Sequence, residues 1–150
     1  MTKLASRKYG EYIRDFTSLG NPFILLSIAF FLVGFNNSFL MIVLGFIINE
    51  IICSAIKYFF PKKRPNQQTY DSAAEKIDAG SFPSIHASRL SFVGLSLMAL
   101  TNYFPHKILL LVIILVVGYS RIYLLKHYPI DVLAGYVFGT MLFVLMFFSF

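Results

Sequence analysis

Five apolar stretches, separated by shorter polar segments, dominate the hydrophobic pattern of the chain. They are residues 22–35, 39–60, 84–104, 107–125 and 130–150. As helices, the first would be roughly 21 Å long and the second roughly 33 Å, against roughly 30 Å for the hydrocarbon core of a bilayer. The pattern therefore predicts an all-α membrane bundle of about five transmembrane helices.

Two segments of mixed polarity lie outside these stretches. In residues 1–20 apolar side chains recur near helical spacing among charged ones, which predicts an amphipathic helix at the membrane interface. Residues 61–83 form the one substantial polar connection, and residues 71–78 within it favour a short helix. A loop of this length in a small protein is usually functional or disordered. We interpret residues 1–150 as a single membrane-embedded domain.

Composition supports lipid as the solvent for much of the chain. Hydrophobic residues make up 57% of the sequence and charged residues 13%, whereas soluble domains have about 25% charged residues. The net charge of +6 suits nucleic acid, an anionic membrane surface or an anionic substrate. Because the cations do not lie on a soluble domain, we expect no nucleic-acid partner. The single Cys53 is predicted to be buried and inert.

Two features inside the apolar stretches bear on packing. Glu50 lies in the middle of the second stretch, where an acid must face the bundle interior, either protonated or paired. We favour a structural role for it. The third stretch is rich in small residues, and Gly135 and Gly139 in the fifth have the small-xxx-small spacing that lets membrane helices approach closely.

The side chains capable of chemistry collect at one membrane face if each stretch crosses once. The second stretch ends where the polar loop begins, the third begins where the loop ends, and the fourth returns to that face. Taken singly, residues 62–64 are a basic flank of a membrane helix and His86 is a satisfied polar residue. Their convergence favours chemistry instead. The residues brought together are Lys57, Arg64, His86, Arg121, His127 and Asp131.

This set of residue types suits an anion with several oxygens. Three cations match a phosphate group, and arginine binds phosphate in a bidentate manner. Ser84 and Ile85 begin a helix directly after a proline, so free backbone N–H groups also point at the anion. Two histidines and one carboxylate supply a nucleophile, a proton donor and an orienting group. The sequence has no Walker-type loop and no zinc or magnesium motif. We therefore expect phosphoryl transfer through a histidine, without metal or cofactor.

Three segments resemble the signatures of the type 2 phosphatidic acid phosphatase superfamily, which also includes the vanadium haloperoxidases. Residues 57–65 read Lys, six residues, Arg-Pro, similar to the first signature. Residues 83–86 read Pro-Ser-Ile-His and resemble the second, Pro-Ser-Gly-His. Residues 120–131 read Ser-Arg, five residues, His, three residues, Asp, and match the third. The three occur in the family's order, and the resemblance covers roughly residues 39–150.

The resemblance implies a role for each motif residue. His127 would attack phosphorus and form a phosphohistidine, and Asp131 would hold and polarise His127. His86 would protonate the leaving oxygen and then activate water for the second half of the reaction. The phosphate oxygens would be bound by Lys57, Arg64, Ser84, Ile85 and Arg121.

This sequence departs from the family pattern in two respects. Ile85 stands where the family has glycine, and a β-branched residue would be strained if the backbone there required a positive φ. The six-span form familiar in the family is reduced to five predicted spans, with the N-terminal helix in place of one.

The resemblance implies an integral-membrane lipid phosphatase with the lipid bilayer as its surroundings. Polyprenyl diphosphate, phosphatidic acid, phosphatidylglycerol phosphate and lipid A phosphate all remain open as substrates. The alternative is a catalytically weak lipid-phosphate-binding or scaffold protein, which Ile85 alone supports. A vanadium haloperoxidase is disfavoured because those enzymes are soluble. Every Lys and Arg except Lys107 falls on the motif side, so the positive-inside rule predicts a site at the cytoplasmic face of the cell membrane.

Overall fold

The computed structural model describes residues 17–66 and 80–149. Its elements are α1 (Pro22–Val33), α2 (Asn37–Phe59), α3 (Ile85–Leu100), α4 (Phe104–Tyr123) and α5 (Pro129–Ser149). Helices α2, α4 and α5 are long and apolar enough to cross a membrane, whereas α1 and α3 are shorter apolar helices. The predicted all-α bundle is confirmed. The interfacial helix predicted in residues 1–20 falls almost entirely outside the described residues, and the short helix predicted in residues 71–78 falls wholly outside them.

Asparagine side chains determine where the first two helices begin. The Oδ1 of Asn21 accepts the backbone N–H of Phe23 at 2.9 Å, and the Oδ1 of Asn36 accepts that of Phe39 at 3.0 Å. Such bonds satisfy backbone donors that the first turn of a helix leaves free. The sequence predicts a turn at residues 36–38, from its run of two asparagines and a serine, but the connection between α1 and α2 is residues 34–36, because α2 already begins at Asn37.

The connection between α3 and α4 corrects a second expectation. The sequence predicts a turn at Pro105-His106, but α3 ends at Leu100 and the chain turns at residues 101–103. Pro105 lies in the first turn of α4. That turn tolerates proline because its backbone N–H groups have no acceptor within the helix. The proline thus starts α4 instead of separating the two helices.

Helix α3 is the centre of the bundle and packs against each of the other four described helices. Its most extensive contact is with α5. A Cβ added at Gly135 would lie 2.5 Å from the carbonyl oxygen of Ser84, and one at Gly139 would overlap the carbonyl oxygen of Ser88. The small-xxx-small spacing therefore does mark a close helix contact. This contact brings the start of α5 against the start of α3, where two of the motifs lie.

We expect Gly139→Ala to destabilise the protein, because its Cβ would collide with backbone that cannot rotate away. Overpacking of this kind costs about 1 to 3 kcal/mol. Thermal unfolding of the purified protein in detergent measures the effect. Val137→Ala is the matched control, since Val137 lies on the same helix with 55% of its side chain exposed toward lipid. Equal stability of the two variants would contradict the expectation.

An ion pair joins α2 to α3 within the bundle. Glu50 of α2 binds Arg89 of α3 through both carboxylate oxygens, with Arg89 Nε 2.5 Å from Glu50 Oε1. The expectation that Glu50 is either protonated or paired is therefore resolved in favour of pairing. Cys53 is buried and unbridged, as predicted. On the outer surface large apolar side chains are exposed, such as Phe31 at 85%, which matches a lipid environment.

Candidate active site

One cavity of about 250 Å³ lies where the end of α2, the start of α3 and the end of α4 meet. All the residues predicted for the site line this cavity except Ser84 and Asp131. Lys57 and Arg121 each lie in the last turn of their helix, where a cation is stabilised by the helix dipole. The lining residues are Lys57, Arg64, Ile85, His86, Arg89, Arg121, Lys126 and His127.

His127 is held in one orientation in the connection between α4 and α5. Its side chain is almost fully buried, and Nδ1 lies 2.6 Å from the carbonyl oxygen of Ser81. Because a carbonyl only accepts hydrogen bonds, Nδ1 carries the proton and donates it. In the neutral ring Nε2 is then unprotonated and has a free lone pair. This is the tautomer that a nucleophilic histidine requires.

The surroundings of His127 also favour its neutral form. Burial is the main cause that lowers the pKa of His127, and the nearby charges of Arg121 and Lys57 lower it further, to about 3. A pKa shifted in this direction means that the ring is unprotonated at neutral pH. The cations that would attract a phosphate group thus add to the effect of burial, and both keep the His127 ring uncharged at neutral pH.

Among the described residues, the hydrogen bonds of the Asp131 carboxylate go to neighbours of His127 and not to its ring. The carboxylate is fully buried and accepts from Lys62 Nζ at 2.6 Å, from Ser81 Oγ at 2.5 Å and from the backbone N–H of Tyr128 at 2.9 Å. The ring of His127 bonds to the carbonyl of Ser81 instead. Ser81 therefore lies between the two side chains, with its hydroxyl on Asp131 and its carbonyl on His127.

Sequence reasoning missed two residues of this arrangement. Ser81 precedes the second motif, and its contact with His127 uses the backbone carbonyl, which no residue type reveals. Lys62 lies inside the first motif but was interpreted as part of a basic membrane flank. Its ammonium group also lies 4.6 Å from the centre of the Tyr128 ring, a cation–π contact. Only the position of Lys62 between Lys57 and Arg64 could have drawn attention to it.

The second motif places the start of α3 at the cavity. Ser84 is the N-cap residue and is fully buried, and its Oγ has no hydrogen-bond partner among the described residues. Ile85 is the first residue of α3, and the one non-glycine residue with positive φ in the described ranges is Leu125, at 53°. The backbone strain considered for Ile85 is therefore absent. The N–H groups of this first turn lack acceptors within the helix and suit an anion.

The three motif segments, brought together around one cavity, allow a comparison with known proteins. The PAP2 superfamily model matches residues 38–150. The chain belongs to the PAP2 superfamily. This confirms the family predicted from the motifs. Over 102 residues this PAP2 protein is 32% identical to an undecaprenyl-diphosphatase of Sulfolobus acidocaldarius, a match that covers 66% of this chain and 48% of that protein. The PAP2 chain thus matches about half the length of that relative.

Two solved structures share the fold. A transmembrane PAP2-type phosphatidylglycerolphosphate phosphatase from Bacillus subtilis is 25% identical and superposes with a TM-score of 0.74. The superposition covers 94% of this chain and 76% of that one. LpxE from Aquifex aeolicus is 20% identical and has the same fold, with a TM-score of 0.78. This superposition covers 98% of this chain and 87% of LpxE. Together with the three candidate spans, this shows that the PAP2 chain is a membrane protein.

Proposed function

We propose that this PAP2 protein is an integral-membrane phosphatase that hydrolyses a lipid phosphate or diphosphate monoester through a phosphohistidine, without a metal ion. The observation that supports the proposal most is the placement of two histidines, His86 and His127, on one small cavity lined by cations. The ring of His127 is oriented by its Nδ1 contact. One histidine can then act as nucleophile while the other handles protons.

In the first half of the reaction, the phosphoryl group binds among Lys57, Arg64 and Arg121. Nε2 of His127 attacks phosphorus, and a P–N bond forms while the bond from phosphorus to the leaving oxygen breaks. His86 gives its proton to that oxygen, so the lipid leaves as an alcohol, or as a monophosphate when the substrate is a diphosphate. The cations stabilise the negative charge that develops on the phosphoryl oxygens.

In the second half, His86 accepts a proton from a water molecule as that water attacks the phosphohistidine. The P–N bond breaks, inorganic phosphate leaves, and His127 and His86 return to their starting forms. The Ser84 hydroxyl and the first backbone N–H groups of α3 are close to the site and are proposed as further donors to the phosphate oxygens. Ile85 contributes only its backbone N–H, so replacement of the family glycine leaves this donor in place.

The chemistry of the lining supports the proposed metal independence. Among the described residues, the cavity is lined by lysines, arginines, histidines and one isoleucine. Magnesium and calcium prefer carboxylate and carbonyl oxygens, and cations at these positions repel a metal ion. The positive side chains supply the charge neutralisation that Mg²⁺ provides in other phosphoryl-transfer enzymes.

The relatives support a lipid carrying phosphate as the substrate class. Their names specify undecaprenyl diphosphate in one case and phosphatidylglycerol phosphate in the other. In both substrates a phosphate group is attached to a long apolar tail. The exposed apolar surface of the bundle suits an approach of such a tail through the lipid. We therefore propose the same chemical class for this protein, with polyprenyl diphosphate, phosphatidic acid, phosphatidylglycerol phosphate and lipid A phosphate as the substrates to compare.

The alternative of a lipid-phosphate-binding protein without turnover rested on Ile85. Because Ile85 starts a regular helix without positive φ, that objection to catalysis is removed, and the phosphatase is favoured.

The test is phosphate release by the purified protein in detergent from the four lipids, with and without EDTA. We expect release from at least one lipid at a rate that EDTA leaves unchanged, because the cationic side chains replace the metal. Loss of activity in EDTA with recovery on addition of Mg²⁺ would contradict the metal-free mechanism. Bound lipid with no release from any of the four would contradict the phosphatase.

We also propose that the chain crosses the membrane several times with the site on the cytoplasmic side, as its Lys and Arg distribution predicts. Asn66 lies beside the site and Asn37 at the opposite end of α2, and both are exposed. In a Cys53→Ala background, Asn66→Cys in intact cells should resist a membrane-impermeant maleimide, whereas Asn37→Cys should be labelled. The reverse pattern would place the site on the outer side.

A further inference from the structure

A turn that precedes α1 lies against the candidate active site. Residues 17–21 form this turn, which is closed by bonds from the N–H of Gly20 to the carbonyl of Thr17 at 3.1 Å and from that of Asn21 to Ser18 at 2.8 Å. The turn lies outside residues 38–150, the part of the chain that matches the PAP2 superfamily. Its contacts therefore join a segment before the matched domain to residues within that domain.

The turn covers the ring of His86. A Cβ added at Gly20 would lie 2.5 Å from Cδ2 of that ring and 3.1 Å from Cγ. These distances are shorter than van der Waals contact, so only glycine leaves room for the ring in its observed position. Gly20, which is itself buried, thus forms one wall of the space in which the His86 ring can rotate.

Two side-chain contacts hold the turn in place. Arg89 donates from Nη1 to the carbonyl oxygen of Gly20 at 3.3 Å. The Oγ1 of Thr17 lies 2.6 Å from the Oγ of Ser120, the residue that opens the third motif. Arg89 follows His86 by three residues on α3, so both side chains lie on the same face of that helix. The turn is therefore connected to α3 at one end and to α4 at the other.

Glu50 fixes the arginine that makes the first of these contacts. Its carboxylate binds Arg89 in a bidentate manner from α2, and the guanidinium also lies 5.7 Å from the centre of the Phe46 ring. A planar guanidinium bound at both edges keeps little rotational freedom. Glu50, in the apolar middle of α2, thus positions Arg89, and Arg89 positions Gly20 against His86.

We propose that Gly20, Arg89 and Glu50 are positioning residues that keep the His86 ring aligned for proton transfer to the leaving oxygen. The inference rests on the proposed function, because it assigns His86 the role of general acid. Misalignment of a catalytic group by about 1 Å costs on the order of 100-fold in rate. The loss of kcat/KM in variants of these residues should therefore be larger for substrates whose leaving group needs a proton.

The test compares two phosphate monoesters with apolar tails of equal length. One releases an aliphatic alcohol, which needs protonation, and the other releases a nitrophenolate, which leaves without a proton. We expect Gly20→Ala to lower kcat/KM for the alkyl phosphate by about 10- to 100-fold and for the nitrophenyl phosphate by about threefold at most. Glu50→Gln should show the same selectivity to a smaller degree, because shape is kept while the ionic contact is lost.

Gly94→Ala is the matched control. Its Cβ would crowd Ile114, 2.7 Å away, on the same helix but roughly 12 Å from His86 along the axis, so it should leave the ratio of the two kcat/KM values unchanged. An equal loss on both substrates in Gly20→Ala would overturn the positioning role. If Gly20→Ala does not fold, an unchanged ratio of the two kcat/KM values in Glu50→Gln would overturn the positioning role. Absence of hydrolysis of either ester by the unmodified protein would instead overturn the proposed function, and this inference with it.

Discussion

Replacement of His127 by alanine is expected to reduce phosphate release by at least about 10⁴-fold, since loss of the nucleophile in an enzyme that forms a covalent intermediate costs between about 10⁴- and 10⁶-fold. Nε2 of His127 is unprotonated in the neutral tautomer, because Nδ1 donates to the Ser81 carbonyl, which also fixes the ring. His86 is not expected to substitute for it, because its proposed role is to transfer protons and not to attack phosphorus. Binding of lipid phosphate should persist, since the cations that hold it are unchanged.

Single-turnover experiments with a lipid labelled in its phosphate group test directly whether His127 forms the phosphohistidine. The unmodified protein should carry acid-labile label on histidine during turnover, and His127→Ala should carry none. His106→Ala is the control, because His106 is an exposed histidine in the first turn of α4, at the opposite end of the helix from the site. Label on the His127→Ala protein, or full phosphate release from it, would rule out His127 as the residue that forms the phosphohistidine.

Asp131→Asn is expected to lower kcat by about 10²- to 10⁴-fold, within the range seen when the buried carboxylate behind a catalytic histidine becomes an amide. The carboxylate accepts hydrogen bonds from Lys62, Ser81 and the backbone of Tyr128. An amide has one acceptor oxygen and no charge, so it cannot keep all three contacts. Ser81 would then shift, and with it the carbonyl that fixes Nδ1 of His127.

Ser81→Ala separates the two contacts that Ser81 makes. It removes the hydroxyl that binds Asp131 but keeps the carbonyl that binds His127, so we expect a smaller loss of about tenfold, the cost of roughly one hydrogen bond to a charged group. Steady-state kcat distinguishes Ser81→Ala from Asp131→Asn, and thermal unfolding checks that both variants are folded. Lys63→Met serves as a control, because Lys63 is exposed and adjacent to Lys62. A loss in Ser81→Ala as large as in Asp131→Asn would show that the carboxylate acts mainly through the Ser81 hydroxyl.

Helix boundaries show where local sequence signals suffice and where they do not. Asn21 and Asn36 cap α1 and α2 through bonds within their own first turns, so pattern and residue type place these starts well. Pro105 was placed between two helices, although it belongs to the first turn of α4. Proline is compatible with both positions, and the packing of α3 against α4 decides between them.

The sequence alone determined the class of this protein and the residue types of its site. Long apolar stretches must form helices in lipid because no other arrangement satisfies the backbone there, and the three motifs are short segments whose spacing is visible without a structure. The tertiary structure decided what each side chain contacts. That Ser81 separates Asp131 from His127, and that Gly20 closes over His86, depends on residues far apart in the chain. Such contacts follow from how closely α3, α4 and α5 pack, which local sequence does not encode.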